Sequence, residues 1–214
     1  MFKNNLKLAW RNLLKDKGYS LINITGLATG MAVAMIIGLW IYDEVGANRH
    51  FKNYDSVYQV MMNQTFDGVR GSQVALPYPI GEELKIKYPD LKAVAMCDWG
   101  QTHSFIYGEK KVSKTGHFIG EDAVRMFSLK IIAGDKNPLH DPYSIVLTDE
   151  TAKILFGNEN PIGKTVKLDN ATDLKVTAVV EKQPRNSSLQ FDYLLPFQLT
   201  ESIYSWIKLY HKTN

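Results

Sequence analysis

One cysteine, Cys97, in 214 residues excludes an internal disulfide. Its neighbours, "AVAMCDW", suggest an apolar strand and a buried, inert thiol. Histidine is sparse as well. His50, His103, His117, His140 and His211 are scattered along the chain. His117 and Glu121 stand four apart, but "HFIGE" holds a glycine and no second histidine, so the HExxH helix of a zinc hydrolase is missing. No serine occupies a G-x-S-x-G elbow. Asp43 and Glu44 are adjacent and cannot face each other as an acid/base pair. The sequence therefore offers no catalytic set, no metal ligands and no cofactor motif, and we expect no enzyme. Internal repeats and low-complexity tracts are also absent.

A phosphate-binding loop is nearly present. "FGNENPIGKT", Phe156 to Thr165, ends in Gly163-Lys164-Thr165. The nucleotide motif needs a glycine, four residues, then Gly-Lys-Ser/Thr. Gly157 stands one residue too early, and Asn158 holds the required place. A P-loop also follows a strand and opens a helix. Here a helical stretch, "TDETAKILF", precedes the loop and an alternating one, "TVKLDN", follows it. Pro161 removes an N–H where a phosphate nest would use one. The segment reads as a surface turn between helix and strand.

Charge of one sign is missing at the start. The first seventeen residues carry Lys3, Lys7, Arg11, Lys15 and Lys17 against Asp16 alone. The other 197 residues hold 20 basic and 21 acidic side chains, so the net charge of +3 describes a leader and not the body. Nucleic-acid binding gains no support from it. From Gly18 to Tyr42 charge vanishes altogether, over 25 residues. As a helix this run would span roughly 37 Å, at about 1.5 Å per residue, enough to cross a bilayer core. The run is longer than a signal-peptide core, and "WIYDE" is a poor cleavage site, so we expect a retained anchor. Basic residues before the span and Asp43-Glu44 after it place the N-terminus in the cytoplasm. Trp40 and Tyr42 suit the outer interfacial belt. Gly26, Gly30, Ala34 and Gly38 recur every four residues and predict a face for close packing of another membrane helix. Phe2, Leu6, Trp10, Leu13 and Leu14 follow helical periodicity, with Lys3, Lys7 and Arg11 off that stripe. This suits an amphipathic helix resting on anionic lipid.

The 172 residues after Tyr42 suffice for one or two small domains. "SVYQVMMNQTF" and "LKAVAMCDW" read as strands, and "IGEELKIKYP" as a short helix stopped by Pro89. "HSFIYGEKKVSKTG" predicts a hairpin turning near Gly108. A helical turn around Val124 and Phe127 precedes an apolar stretch closed by Gly134. "YSIVLT" is a strand. Thr148 or Asp149 can cap the helix "ETAKILF", with Gly157 at its C-cap. "TVKL", "LKVTAVVEKQP" and "LQFDYLLPF" complete the set. Short strands mixed with short helices predict an α+β fold with a mixed, largely antiparallel sheet. Asn63, Asn170 and Asn186 open glycosylation triplets, which would matter only in a eukaryotic secretory route.

"LAWRNLLKDKGYSLINITGLATGMAVAMIIGLWIYDE" resembles the N-terminus of permease subunits of MacB/FtsX-type ABC transporters, in the form common in Bacteroidetes. The matching residues are Arg11, Asn12, Leu13, Ser20, Ile22, Asn23, Gly26, Leu27, Gly30, Trp40, Asp43 and Glu44. "DEVGANRHF" departs from the family's usual continuation, and "YDSVYQV" resumes it. "MFSLKIIAGDKNPL", "SIVLTDETAKILFGNENPIGKTVKLDN" and "VTAVVEKQPRNSSLQFDYLLPF" resemble the MacB-like periplasmic core domain, which carries an F-G-x-x-x-P-x-G-K segment. The resemblance implies a cytoplasmic helix over residues 1–17, a membrane helix over 18–42 and an incomplete extracytoplasmic domain over 43–214. It implies a bacterial inner-membrane permease fragment that couples ATP hydrolysis by a separate cytoplasmic ABC ATPase subunit to export or mechanical work outside. The remaining permease helices and a permease dimer are the implied partners. The alternative is a membrane-anchored adaptor or sensor that binds a peptide, lipid or envelope protein.

Overall fold

The computed structural model describes residues 2–203. The chain divides after Ala47 into two compact units.

The first unit is helical. α1 (Phe2–Lys15) and α2 (Lys17–Gly46) are separated at Asp16, whose φ of −111° and ψ of 65° leave the helical region. The hydrogen-bond ladder bridges the break, because Asp16 N–H donates to Asn12 O and Ser20 N–H to Asp16 O. α1 has no acidic residue in its first turn. Trp10 and Leu14 are exposed; the side chains of Phe2, Leu6 and Leu13 lie outside the described ones. α2 runs past Asp43 and Glu44 before Ala47 turns extended. It buries no residue, so its apolar surface is turned outward along its whole length. Among its polar residues, Thr25 donates its hydroxyl back to Leu21 O at 2.5 Å. That bond satisfies the hydroxyl within the helix, as a hydrocarbon environment requires.

The second unit opens with a segment pinned by polar contacts. Asn48 N–H donates to Asn186 O, and Asn48 Oδ1 accepts from Ser188 N–H at 2.7 Å. Phe51 is buried beside them. β1 (Met62–Phe66) and β2 (Val69–Gln73) form a separate two-stranded sheet. Its turn is Asp67-Gly68, with φ of +47° and +81°, the left-handed pair that a type I′ hairpin needs. The strand expected over Ser56–Phe66 is thus shorter. Tyr54–Ser56 form a 3-10 turn, and only Met62–Phe66 find a partner. α3 (Ile80–Lys87) follows Pro77-Tyr78-Pro79 and ends before Pro89, as expected.

β3 (Gln101–Tyr107) and β4 (Lys110–Ile119) make the expected hairpin, with Gly108 at φ +58°. α4 (Ala123–Met126), β5 (Ile131–Gly134), β6 (Ser144–Thr148), α5 (Asp149–Phe156), β7 (Thr165–Leu168), β8 (Thr172–Val180), β9 (Tyr193–Pro196) and α6 (Leu199–Ile203) complete the described order. The large sheet runs β5-β8-β6-β9-β4-β3-β7. It closes on itself, because β7 also pairs with the first half of β8, Thr165 opposite Lys175 and Leu168 opposite Thr172. β4–β9 and β6–β8 are parallel; the other pairs are antiparallel. The fold is the expected α+β type, with a mostly antiparallel sheet.

Alternation along the central strands feeds two cores. Ile145, Leu147, Tyr193, Leu195 and Phe118 join Leu155 and Phe156 of α5 in the first. Val146, Leu194 and Ile119 join Phe51, Val124 and Leu129 in the second. β8 changes parity on the way. Leu174 and Val176 face the first core, but Ala178 faces the second. The reason is a bulge: Ile145 pairs with Val176 and Val146 with Ala178, leaving Thr177 as the extra residue. Its hydroxyl reaches Pro138 O at 2.7 Å and Ile145 O at 3.2 Å. A residue inserted into one strand flips every later side chain to the other face, and this is how one strand serves two cores.

The stretch around Cys97 departs from expectation. "LKAVAMCDW" forms no strand, only an isolated bridge between Cys97 and Ile119. Cys97 is exposed, not buried. With no further pairing, the alternation that buries a strand face has nothing to enforce it.

Candidate functional site

Gly26, Gly30, Ala34 and Gly38 all lie on α2 and are exposed. A Cβ built on Gly26, Gly30 or Gly38 would meet nothing within 4 Å. No other described helix covers this face.

The P-loop-like segment is a helix-to-strand turn in the second unit. α5 ends at Phe156 and β7 starts at Thr165. Phosphate binding requires free N–H groups converging on one point. Here they are spent internally. Gly157 N–H donates to Lys153 O, Glu159 N–H to Phe156 O, Ile162 N–H to Asn160 Oδ1, Gly163 N–H to Val176 O and Lys164 N–H to Pro161 O. Lys164 pairs with Glu159 and lies over the Tyr107 and Phe156 rings, 5.3 and 5.5 Å from their centroids. The Glu159 carboxylate holds the Lys164 ammonium above its usual pKa. This lysine closes a turn and has no phosphate cradle around it.

The scattered histidines each find a local partner, apart from His211, which lies outside the described residues. His50 Nε2 meets Gln183 Oε1 at 3.2 Å. His103 Nδ1 meets Asp169 Oδ2 at 2.5 Å, in the β7–β8 turn, while its ring sits edge-on to Phe118 and Tyr193. His140 Nδ1 lies 3.2 Å from Glu121 Oε2. His117 does not meet Glu121. It turns to Asp98, Nδ1 to Oδ1 at 3.1 Å, and its Nε2 faces Gln190 O at 3.2 Å. The hydrogen bond to Asp98, with Cys97 beside it, pushes the His117 pKa up to about 10. The four-residue spacing to Glu121, already dismissed as a zinc motif, is not a contact. The contact runs nineteen residues back, across a single β-bridge.

One further recess is lined by Tyr78, Gly81, Val94, Met96, Phe197 and Glu201, between α3 and the closed sheet, with a volume of about 130 Å³. Tyr78 donates to Glu201 Oε1 at 2.9 Å and stacks on Phe197. Burial and this carboxylate push the Tyr78 pKa up to about 12. The recess is small and brings no nucleophile and base together.

An apolar helix with no buried residue, long enough to cross a membrane, followed by a closed α+β sheet domain, is the arrangement of a membrane-tethered domain. The chain belongs to the family described as the MacB-like periplasmic core domain, which matches residues 20–213. α2 crosses the inner membrane with its N-terminus in the cytoplasm, and the domain that follows is periplasmic. Domains of this family work within ABC transporter complexes that include an ATPase partner. Among solved structures, the chain is similar to a domain of a protein assigned as a permease from Porphyromonas gingivalis, at 20% identity and a TM-score of 0.52. That match covers 61% of this chain and 56% of the other, so the chain spans little more than half of that domain. The periplasmic region of MacB from Actinobacillus actinomycetemcomitans matches at 21% identity and a TM-score of 0.48, covering 68% of this chain and 67% of that one. The extracellular domain of the noncanonic ABC-type transporter YknZ from Gram-positive bacteria matches at 16% identity and a TM-score of 0.43, covering 52% and 58%. No curated protein matches.

Proposed function

We propose that this chain is the N-terminal part of an ABC-transporter permease subunit. It carries the first membrane helix and the periplasmic domain on which the transporter does its work. The observation that carries the reading is the family match over residues 20–213, which takes in most of α2 together with the whole described outer domain. A separate cytoplasmic ATPase subunit supplies the energy, a partner that the family reading brings with it. Force reaches the periplasm through helices. The face bearing Gly26, Gly30, Ala34 and Gly38 is the surface where other permease helices approach closely. Basic α1 rests on the anionic cytoplasmic leaflet, and two permease subunits pair. The work is export, or mechanical action on an envelope component.

The test is assembly. The remaining permease helices are supplied on a second plasmid, and their co-purification with this chain is measured. Gly30→Leu raises apolarity, so insertion should persist, but the side chain holds a neighbouring backbone away. We expect reduced recovery for Gly30→Leu and full recovery for Met31→Leu and Ile36→Leu. Equal recovery for all three removes the stripe from the interface. No recovery even with the unaltered chain favours a self-contained anchored adaptor.

A further inference from the structure

Three side chains of metal-ligand type converge where the sequence showed no metal motif. Cys97 and Asp98 precede β3, and His117 is on β4. One ligand atom from each lies within 4.8 Å of the other two. We propose that Cys97, Asp98 and His117 bind a divalent transition-metal ion of the zinc class.

The ligand chemistry fits. Thiolate, imidazole and carboxylate together are a borderline-soft set suited to zinc, and three protein ligands leave a fourth tetrahedral position open. Two ligand atoms each about 2.1 Å from an ion at tetrahedral angles sit about 3.4 Å apart. His117 Nδ1 and Asp98 Oδ1 are 3.1 Å apart, so little movement is needed.

The surroundings orient each ligand. Asp98 Oδ1 accepts from Gly100 N–H and Phe118 N–H, each at 3.1 Å, which fixes the carboxylate plane. Its Oδ2 is buried and has no hydrogen-bond partner among the described residues. A buried carboxylate oxygen without a partner is costly, and an ion held through both oxygens of Asp98 would relieve it. On the imidazole, Nε2 faces the Gln190 carbonyl at 3.2 Å. Metal-bound histidines donate their other ring N–H to such a carbonyl. Nδ1 faces Asp98 Oδ1 and Asp98 O, at 3.1 and 3.3 Å, so a bound ion would take the place of the proton that Nδ1 shares with Asp98, and binding would release that proton. Gly100, at φ +81°, lets the backbone pass the ring; a Cβ there would stand 2.9 Å from His117 Cε1. Two backbone bonds hold the segments in register, Asp98 N–H to Phe118 O and Gly120 N–H to Met96 O. The cysteine is exposed, which gives an ion a way in.

The full chain in detergent, stripped with a chelator, is titrated with Zn²⁺ alone and with Co²⁺ alone. We expect one ion per chain, and a cobalt complex with a near-ultraviolet thiolate-to-metal band and tetrahedral visible bands. Cys97→Ser should remove the thiolate band and weaken Zn²⁺ binding by at least ~100-fold, beyond the ~10–100-fold that outer partners typically cost. This exposed change leaves folding intact, checked by circular dichroism. His117→Gln should act similarly, whereas His140→Gln should not. No one-to-one complex at micromolar ion, a cobalt complex without the thiolate band, or unchanged affinity in Cys97→Ser would each overturn the site. The first of these leaves His117 and Asp98 as a hydrogen-bonded pair only.

Discussion

Single residues set the tightest constraints where two backbones nearly touch. Gly116 of β4 pairs with Tyr193 of the parallel strand β9. A Cβ at that position would stand 2.1 Å from Tyr193 O and 2.8 Å from Tyr193 Cγ. Neither neighbour can retreat, since Tyr193 is fully buried and its hydroxyl donates to Gln101 O at 2.7 Å. Gly116→Ala should therefore separate the strands and cost about 1–3 kcal/mol or more, in the range of overpacked cores. Urea denaturation followed by tryptophan fluorescence measures it, and a change under half a unit would show that the strands can part freely. Lys164 is the opposite case. Its ammonium pairs with the exposed Glu159 at the surface. Lys164→Ala should be mild, within about 0.5 kcal/mol, and calorimetry should find no ATP binding in either form. Micromolar affinity that disappears with Lys164 would revive the P-loop reading. The displaced Gly157, the helix-before-strand order and Pro161 argue against that loop in the sequence, and the internal hydrogen bonds of the turn supply the physical reason.

At the level of elements, legibility followed the source of the signal. α5 and the strands of the closed sheet were readable because a local pattern and its burial agree, α3 because prolines bound it, and α2 because an uncharged apolar run of 25 residues needs no partner to announce it. Thr148 was readable as a cap for α5. Its Oγ1 accepts from Thr151 N–H at 3.4 Å, and it is buried, within 3.2 Å of Asp192 O. Thr148→Ala should cost about 1–2 kcal/mol, measured as a shift of the denaturation midpoint at constant slope. Thr148→Ser, which keeps the oxygen, should recover most of it. Two strand expectations were too generous because alternation alone does not supply a partner: Val57 to Met61 form no ladder, and the residues around Cys97 reach β4 through the single bridge to Ile119. The β1–β2 hairpin went unread although Asp67-Gly68 is a strong turn signal. The parity change in β8 was hidden for another reason. A bulge at Thr177 is set by where β6 runs, and no local pattern announces it. The grouping of Cys97, Asp98 and His117 was equally unreadable, since it depends on one bridge between distant segments.

For the whole molecule, the asymmetry of charge and the single cysteine combine into a test of topology. Four basic residues precede α2 and Lys17 opens it, and Asp43 and Glu44 close its far end. Cytoplasmic retention of positive flanks then places every later residue outside. Cys97 is the chain's only thiol and is exposed in the second unit, so it reports on that unit without any engineered label. In spheroplasts treated with a chelator, a membrane-impermeant maleimide should modify Cys97 before lysis. Cys97→Ser should abolish the signal. When Lys7→Cys is added to that background, its thiol lies on exposed α1 and should react only after lysis. Labelling of the α1 thiol in intact spheroplasts, with Cys97 protected, would invert the orientation, and the periplasmic placement of the domain would fall with it. Labelling of both thiols before lysis would mean that α2 does not cross the bilayer, whatever its length and apolarity. The expected pattern, one thiol open and one shielded on either side of an uncharged run, leaves a single helical crossing as the arrangement that satisfies both the charges and the backbone.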